Sequence, residues 1–352
     1  MTKRFFLAIS LFSILLSACE TNFDVNADWK DTPVVYSIIS QSERSQVFRI
    51  NRAYLGSGDA LMFAQIADSI NYDTTLIRAH IEDWRNGYYF KSIKLVPEWI
   101  HRDSIYSSVF YNPDFPYVLI YKTEPYPFFK VNSPGDTLWL NPDAEYKLII
   151  NNLKNGKEIT SSTPLVKDFT ISKPLYNPYN PQITIRNNEY SNSIKWRAAE
   201  NGKRYECMFR FYYKEWDTPG DSTLHVINWS LGSYKSKDAI GGYEMETVYS
   251  GRDFYTFLKN NIPANSNVKR GAHRLELVFT VVADEFNTYI EVNEPSSSII
   301  QERPEYTNIN NGLGLFSSRL TKKRMYRIGS DMEADIISYF GSIDNSFKKI
   351  SP

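Results

Sequence analysis

The sequence predicts a mainly β protein with two domains and a few inserted short helices. Many runs of about four to eight residues are rich in β-branched and aromatic side chains and end at turn residues, as strands do. Asn86-Gly87 lies between two alternating runs, and this pair tolerates the positive φ angles of a tight hairpin. The 352 residues, 42% hydrophobic and 15% aromatic, exceed what one core usually organises, which favours two domains.

The N-terminal segment predicts an exported, lipidated protein. Lys3 and Arg4 precede an uncharged run from Phe5 to Leu16, and Leu16-Ser17-Ala18-Cys19 follows. The run is much shorter than the ~20 residues of a spanning helix, so it is interpreted as a signal segment. It resembles a bacterial lipoprotein signal, whose final cysteine carries the lipid. Residues 1–18 are therefore expected to be a signal peptide, and Cys19 the site of acylation, for example by palmitate.

Residues 19–32 are polar and weakly acidic, without helical or strand periodicity, and are interpreted as a flexible tether. Their acidic residues resemble the surface-export signals of Bacteroidota lipoproteins. Removal of residues 1–18 would leave 38 basic against 40 acidic residues, a balance that argues against nucleic-acid binding.

Residues 33–173 are predicted to form the first domain. Strands are expected at 34–39, 47–50, 76–84, 88–96 and 118–122, with a helix over 57–69. Leu140-Asn141-Pro142 precedes Tyr146 at the start of another alternating run, and 157–163 supplies a partner strand. This pattern resembles the tyrosine corner of fibronectin type III domains. The resemblance implies an immunoglobulin-like β-sandwich.

Residues 174–182 contain Pro174, Pro178 and Pro181 and are interpreted as a stiff linker. The second domain, also predicted to be sandwich-like, is assigned to 183–352. Its strands are expected at 183–186, 193–197, 205–216, 224–231, 243–250 and 273–283, the last with one core face and one partly wet face. Short helices are expected at 253–262, 284–292 and 332–340.

Cysteine usage leaves no disulfide to stabilise the fold. Cys19 and Cys207 are the only cysteines, and a lipidated Cys19 has no free thiol. Cys207 lies in an aromatic strand, so it is expected to be buried as a small hydrophobic residue.

No spacing of residues points to catalysis, a metal or a cofactor. The four histidines are isolated, and no HExxH, CxxC, GxSxG or P-loop pattern occurs. His80 and Glu82 share one strand face and could ligate a metal, but a solvated strand face explains them as well. Asp217 to Asp221 lacks the ligand spacing of a calcium loop and fits a hairpin turn.

Aromatic residues of the first domain are the best binding candidates, because loop aromatics stack on sugars and anchor protein partners. The alternative is that they cap the core. The candidate residues are Trp99, Tyr111, Phe115, Tyr117, Tyr126 and Phe128.

The segment from Gln301 to Arg319 predicts a tightly turned loop that leads into a strand. Asn310-Asn311-Gly312, followed by Gly314, requires unusual backbone angles. The segment resembles the C-terminal Asn-Ile-x-x-Gly-x-Gly-x-Phe region of Bacteroidota lipoproteins classed only as domains of unknown function. It is expected to close the second domain. Binding through Asn308 and Asn310 is the alternative.

These observations favour a non-enzymatic binding or interaction module, anchored to the outer membrane through lipid on Cys19. The alternative is an accessory lipoprotein that captures glycan or peptide for an outer-membrane transporter. A hydrolase with a dispersed site is the third hypothesis.

Replacement of Cys19 by Ser is expected to abolish incorporation of a clickable fatty acid during growth. Cys207→Ser, which changes the only other cysteine, is the matched control and should label like the wild type. Labelling of Cys19→Ser at the wild-type level would refute the lipobox assignment.

Overall fold

The computed structural model describes residues 31–53, 66–101, 116–124, 130–133, 136–217, 220–294 and 305–349. These residues form a mainly β, β-sandwich-like fold with four short helices. Cys19 and most of the tether lie outside the described residues. The strands are β1 (Pro33–Ile39), β2 (Val47–Arg52), β3 (Ile77–Arg85), β4 (Tyr88–His101), β5 (Tyr117–Thr123), β6 (Lys130–Ser133), β7 (Asp136–Leu138), β8 (Glu145–Asn152), β9 (Lys157–Pro164), β10 (Ile171–Lys173), β11 (Gln182–Ile183), β12 (Ser191–Arg197), β13 (Arg204–Trp216), β14 (Thr223–Lys235), β15 (Glu244–Ser250), β16 (Lys269–Val282) and β17 (Leu313–Ile328).

The helices are α1 (Ala67–Ile70), α2 (Gly251–Asn261), α3 (Asp284–Asn293) and α4 (Ser330–Gly341). The last three confirm the predicted helices. Ser250 caps α2 by accepting a hydrogen bond from the Asp253 N–H, 3.0 Å away. Of the helix predicted over 57–69, only the single turn α1 falls within the described residues.

Most described strands belong to one large sheet with the order β14-β13-β16-β17-β1-β2-β5-β4-β3-β8-β9, to which β11 is added beside β17. A smaller sheet, β10-β12-β15, faces part of it, and β6 pairs with β7. Asn86 (φ 50°) and Gly87 (φ 80°) form the turn between β3 and β4, which confirms the predicted hairpin.

The predicted tyrosine corner is confirmed. The hydroxyl oxygen of Tyr146, at the start of β8, accepts a hydrogen bond of 2.9 Å from the Asn141 N–H. An equivalent bond, which the sequence analysis missed, joins the Ala199 N–H to the hydroxyl of Tyr205 at 2.7 Å, at the start of β13. Both tyrosine side chains are buried, so each bond fixes a loop against a core.

Two hydrophobic cores lie along the large sheet. The N-terminal core is formed by β1–β5, β8 and β9, and the C-terminal core by β12–β14, β16, the second half of β17 and the helices α2 and α4. Cys207 is buried in the C-terminal core, as predicted, and burial raises the pKa of its thiol.

The two cores exchange segments across the boundaries that the sequence suggested. Phe169 and Ile171 precede the proline-rich segment but belong to the C-terminal core. Ile309 and Phe316, from the C-terminal part of the chain, belong to the N-terminal core. The loop before β17 was expected to close the second domain. Instead, it packs on the N-terminal core. The division into two folding domains stays a prediction.

One face of β16 is core and the other is partly wet, as expected: on the face opposite Leu275 and Leu277, Arg274 and Thr280 are half-buried. Glu276 and Val278, which lie between them on that face, are buried. Glu276 is compensated by the hydroxyl of Tyr212, which donates a hydrogen bond of 3.2 Å to its carboxylate.

Tyr146→Phe is expected to lower the free energy of unfolding by about 1–3 kcal/mol, because the buried Asn141 N–H loses its acceptor. Chemical denaturation monitored by tryptophan fluorescence measures this change. Tyr88→Phe is the control, since Tyr88 is 78% exposed and should be nearly neutral. Equal stabilities of the two variants would contradict the structural role of the corner.

Candidate binding pocket

An open pocket of about 780 Å³ lies beside the N-terminal core, between Asp31, the end of β2 and Trp99 of β4. Its wall combines one indole with carboxylate, amide, guanidinium and ammonium groups. The lining residues include Asp31, Arg52, Asp68, Tyr72, Trp99 and Lys154.

Asp31 fixes the start of the fold to one side of this pocket. Its carboxylate accepts hydrogen bonds from the Tyr72 hydroxyl at 2.7 Å and from the amides of Asn155 at 2.8 Å and Asn152 at 3.2 Å. Lys157 donates to the Asp31 carbonyl oxygen at 3.1 Å. Burial, together with the hydrogen bond to Asp31 and its negative charge, raises the pKa of Tyr72, so the phenol remains a donor at neutral pH.

Arg52 and Asn51 hold the opposite side. The Nε of Arg52 donates to the Ser69 carbonyl oxygen at 3.1 Å, and its terminal nitrogen donates to the Asp68 carbonyl oxygen at 2.5 Å. The Asn51 amide donates to the Asn71 side-chain oxygen at 2.7 Å. These bonds attach α1 to the end of β2, so the pocket wall is built from long-range contacts.

Trp99 supplies the pocket's aromatic surface and is 46% exposed. The prediction that Trp99 and Tyr117 lie in loops was wrong: Trp99 lies on β4 opposite Leu119, and Tyr117 begins β5 opposite His101. β4 continues past Pro97 because β3 pairs with β4 only as far as Lys94, so no ladder bond on that edge needs the missing N–H. Tyr111, Phe115, Tyr126 and Phe128 lie outside the described residues.

The structure uses the predicted asparagines internally. The side-chain oxygen of Asn308 accepts from the Phe316 N–H at 2.9 Å, and its amide donates to the Phe316 carbonyl oxygen at 2.6 Å. Asn310 exchanges backbone hydrogen bonds with Thr160 of β9. Neither residue lies at the pocket, and their role in binding stays a prediction.

Local hydrogen bonds hold another acidic residue of the pocket wall, Asp73. Asp73 accepts both the N–H and the hydroxyl of Thr75, at 2.9 and 2.7 Å, and these bonds lower the pKa of its carboxyl. Away from the pocket, His80 Nε2 lies 3.5 Å from a Glu82 oxygen, while the other Glu82 oxygen accepts from the Trp84 indole at 2.7 Å. Within the described ranges, no three metal-ligating side chains come together.

None of the helices in the described part of the chain is both long enough and apolar enough to cross a membrane. Comparison with models of known protein families finds no match. Comparison with curated protein sequences also finds none.

Asp31→Ala is expected to lower the free energy of unfolding by about 1–3 kcal/mol, because three side-chain donors lose a charged acceptor. Denaturant titration tests this, and hydrogen exchange at residues 152–157 should increase. Asp73→Ala, which removes an exposed carboxylate bonded only locally to Thr75, should have the smaller effect. A larger effect of Asp73→Ala would contradict the anchoring role of Asp31.

Proposed function

We propose that this protein is a lipid-anchored, non-enzymatic binding module of the cell envelope, and that the pocket beside Trp99 binds its ligand. The observation that carries the proposal is the placement of a half-exposed indole in a polar pocket that Asp31 also lines, twelve residues after Cys19. Lipid on Cys19 would attach the module to the outer membrane.

The distance along the chain supports a pocket that works close to the membrane. Twelve residues lead from Cys19 to Asp31, and a fully extended chain of that length spans at most about 40 Å. Because Asp31 is bound to Tyr72, Asn152 and Asn155 at the pocket wall, any anchor at Cys19 keeps the pocket within that distance of the lipid.

The chemistry of the wall favours a polar ligand with one flat apolar face. An indole stacks on a sugar ring or an aromatic side chain, while carboxylate and amide groups accept and donate hydrogen bonds. Arg52 and Lys154 add positive charge on the wall. A glycan or an extended peptide has this combination, which supports capture of such a ligand for an outer-membrane transporter.

A second candidate function, contact with a protein partner, is favoured by the tip of the β3–β4 hairpin. Tyr88, Tyr89 and Phe90 are consecutive and are 78%, 53% and 55% exposed. The Arg85 guanidinium lies 3.6 Å from the centre of the Phe90 ring. Aromatic residues and arginine are enriched in protein interfaces.

Trp99→Ala is expected to weaken ligand binding by about tenfold or more, as loss of an anchoring aromatic does. Glycan and peptide arrays identify the ligand, and calorimetry then measures the affinity. Trp216→Ala, which removes a partly exposed indole from the distant end of β13, is the matched control. The proposal fails if the arrays yield no ligand, or if both variants bind like the wild type.

A further inference from the structure

The edge strand β14 is a long sheet edge on which the described residues show none of the usual protection against pairing over 223–230. It is the outermost strand of the large sheet and pairs only with β13. A β-strand edge presents unpaired N–H and C=O groups that can template another strand. Proteins usually block such edges with charges, prolines, bulges or covering segments.

The opposite edge of the same sheet is covered. Thr160 of β9 exchanges backbone hydrogen bonds with Asn310, and the Ser161 hydroxyl donates to the Asn308 carbonyl oxygen at 2.7 Å. The Asn311 amide donates to the Glu158 carbonyl oxygen at 3.0 Å. β9 also ends in Pro164, which has no N–H to offer a new strand.

The smaller sheet is protected by different means. β15 carries the exposed acidic residues Glu244 and Glu246 along its edge. β10 is only three residues long and is followed by Pro174. Short length, charge and proline each discourage the addition of a strand.

β14 has none of these features over most of its length. It contains no proline or acidic residue, and its single lysine, Lys235, lies at its far end in an ion pair with Glu291. The bulge opposite Cys207 and Met208 interrupts the strand only after Ser230. Within the described chain, residues 223–230 make no backbone hydrogen bond to any segment except β13.

The side chains of this edge also suit an added strand. Leu224 and Val226 project to the outer side and are 46% and 49% exposed. Ile227 and Trp229 project to the other side and pack on the C-terminal core. This packing fixes the position of the strand. An added strand would cover both exposed aliphatic side chains and complete the open hydrogen bonds.

We infer that β14 is an association surface, and that its occupant is β14 of a second copy of this chain, paired antiparallel about a two-fold axis. Residues 223–230 contain no carboxylate, lysine or arginine, so self-pairing brings no permanent like charges together in any register. An isologous pair of this kind closes on itself and leaves neither copy of β14 as an open edge. The result is a dimer with one continuous sheet.

Sedimentation equilibrium of the chain from residue 19 onward tests this inference, with Cys19→Ser so that no lipid drives association. The wild-type edge should give a monomer–dimer equilibrium. Val226→Lys should raise the dissociation constant by about tenfold or more, because a charge on an edge strand discourages the addition of another strand. Val248→Lys is the matched control, since Val248 is 64% exposed on the protected strand β15, and it should leave the constant within about twofold of wild type.

Hydrogen exchange locates the contact independently of these variants. Amides of 223–230 should become protected as the protein concentration rises, while amides of β15 should not. If Val226→Lys lowers stability, Leu224→Glu gives a second charged substitution on the same outer side. A monomer at the highest attainable concentration, or a dimer whose β14 amides stay unprotected, would falsify the inference.

Discussion

The structure depends on one strand, β17, which changes its pairing partner halfway along its length. Leu313–Ser318 pairs in parallel with β1, and Arg319–Arg327 pairs antiparallel with β16. The two cores therefore share a backbone ladder instead of meeting only through a linker. Because long-range strand pairing carries a large loop-closure entropy, this strand ties segments that are hundreds of residues apart into one sheet.

Ser318 occupies the position where the pairing changes, and it is fully buried. Its hydroxyl donates to the Pro164 carbonyl oxygen at 2.7 Å and accepts from the Val166 N–H at 3.1 Å. Its carbonyl oxygen accepts from the Ala283 N–H at 3.1 Å. One small side chain thus joins backbone groups at the end of β9 to the point where β17 changes partner. At the start of the strand, Gly314 (φ 115°) lies so close to Val35 that a Cβ there would clash with its carbonyl oxygen.

The far end of the chain is held by a buried cation. Arg270 donates to Glu215 at 2.7 Å and to Asp344 at 3.1 Å, and its side chain is 3% exposed. Burial alone would raise the pKa of Asp344, but hydrogen bonds from Asn265 and Ser346 and the Arg270 charge outweigh it, so the pKa is lowered. The stabilisation from Asp344 is therefore present above the unfolded pKa of this carboxyl and is lost as pH falls through its lower folded value. Since the second core has no disulfide, this network and aromatic packing hold its C-terminal segment in place.

The sequence by itself determined the local structure. Alternation predicted many of the strands, although β6, β7 and β10 were missed and β17 was given no bounds. Asn86-Gly87 predicted the hairpin, and the residues before Tyr146 predicted a corner bond that the structure contains. These features depend on neighbours a few residues apart, whose steric preferences and periodicity are visible along the chain. Cys207 was placed correctly for the same reason, because its strand is apolar on one face.

Only the tertiary structure decided which strand joins which core, and where a pocket forms. Phe316 and Ile309 fill the N-terminal core although about 150 residues separate them from β9, and nothing local in their sequence encodes that choice. The pocket likewise combines Asp31, Arg52 and Trp99. Of these three residues, only Trp99 was predicted from the sequence to take part in binding. Asp31 attaches the start of the fold because its carboxylate accepts hydrogen bonds from Tyr72 and Asn155. These donors are distant in sequence, so only folding brings them to Asp31.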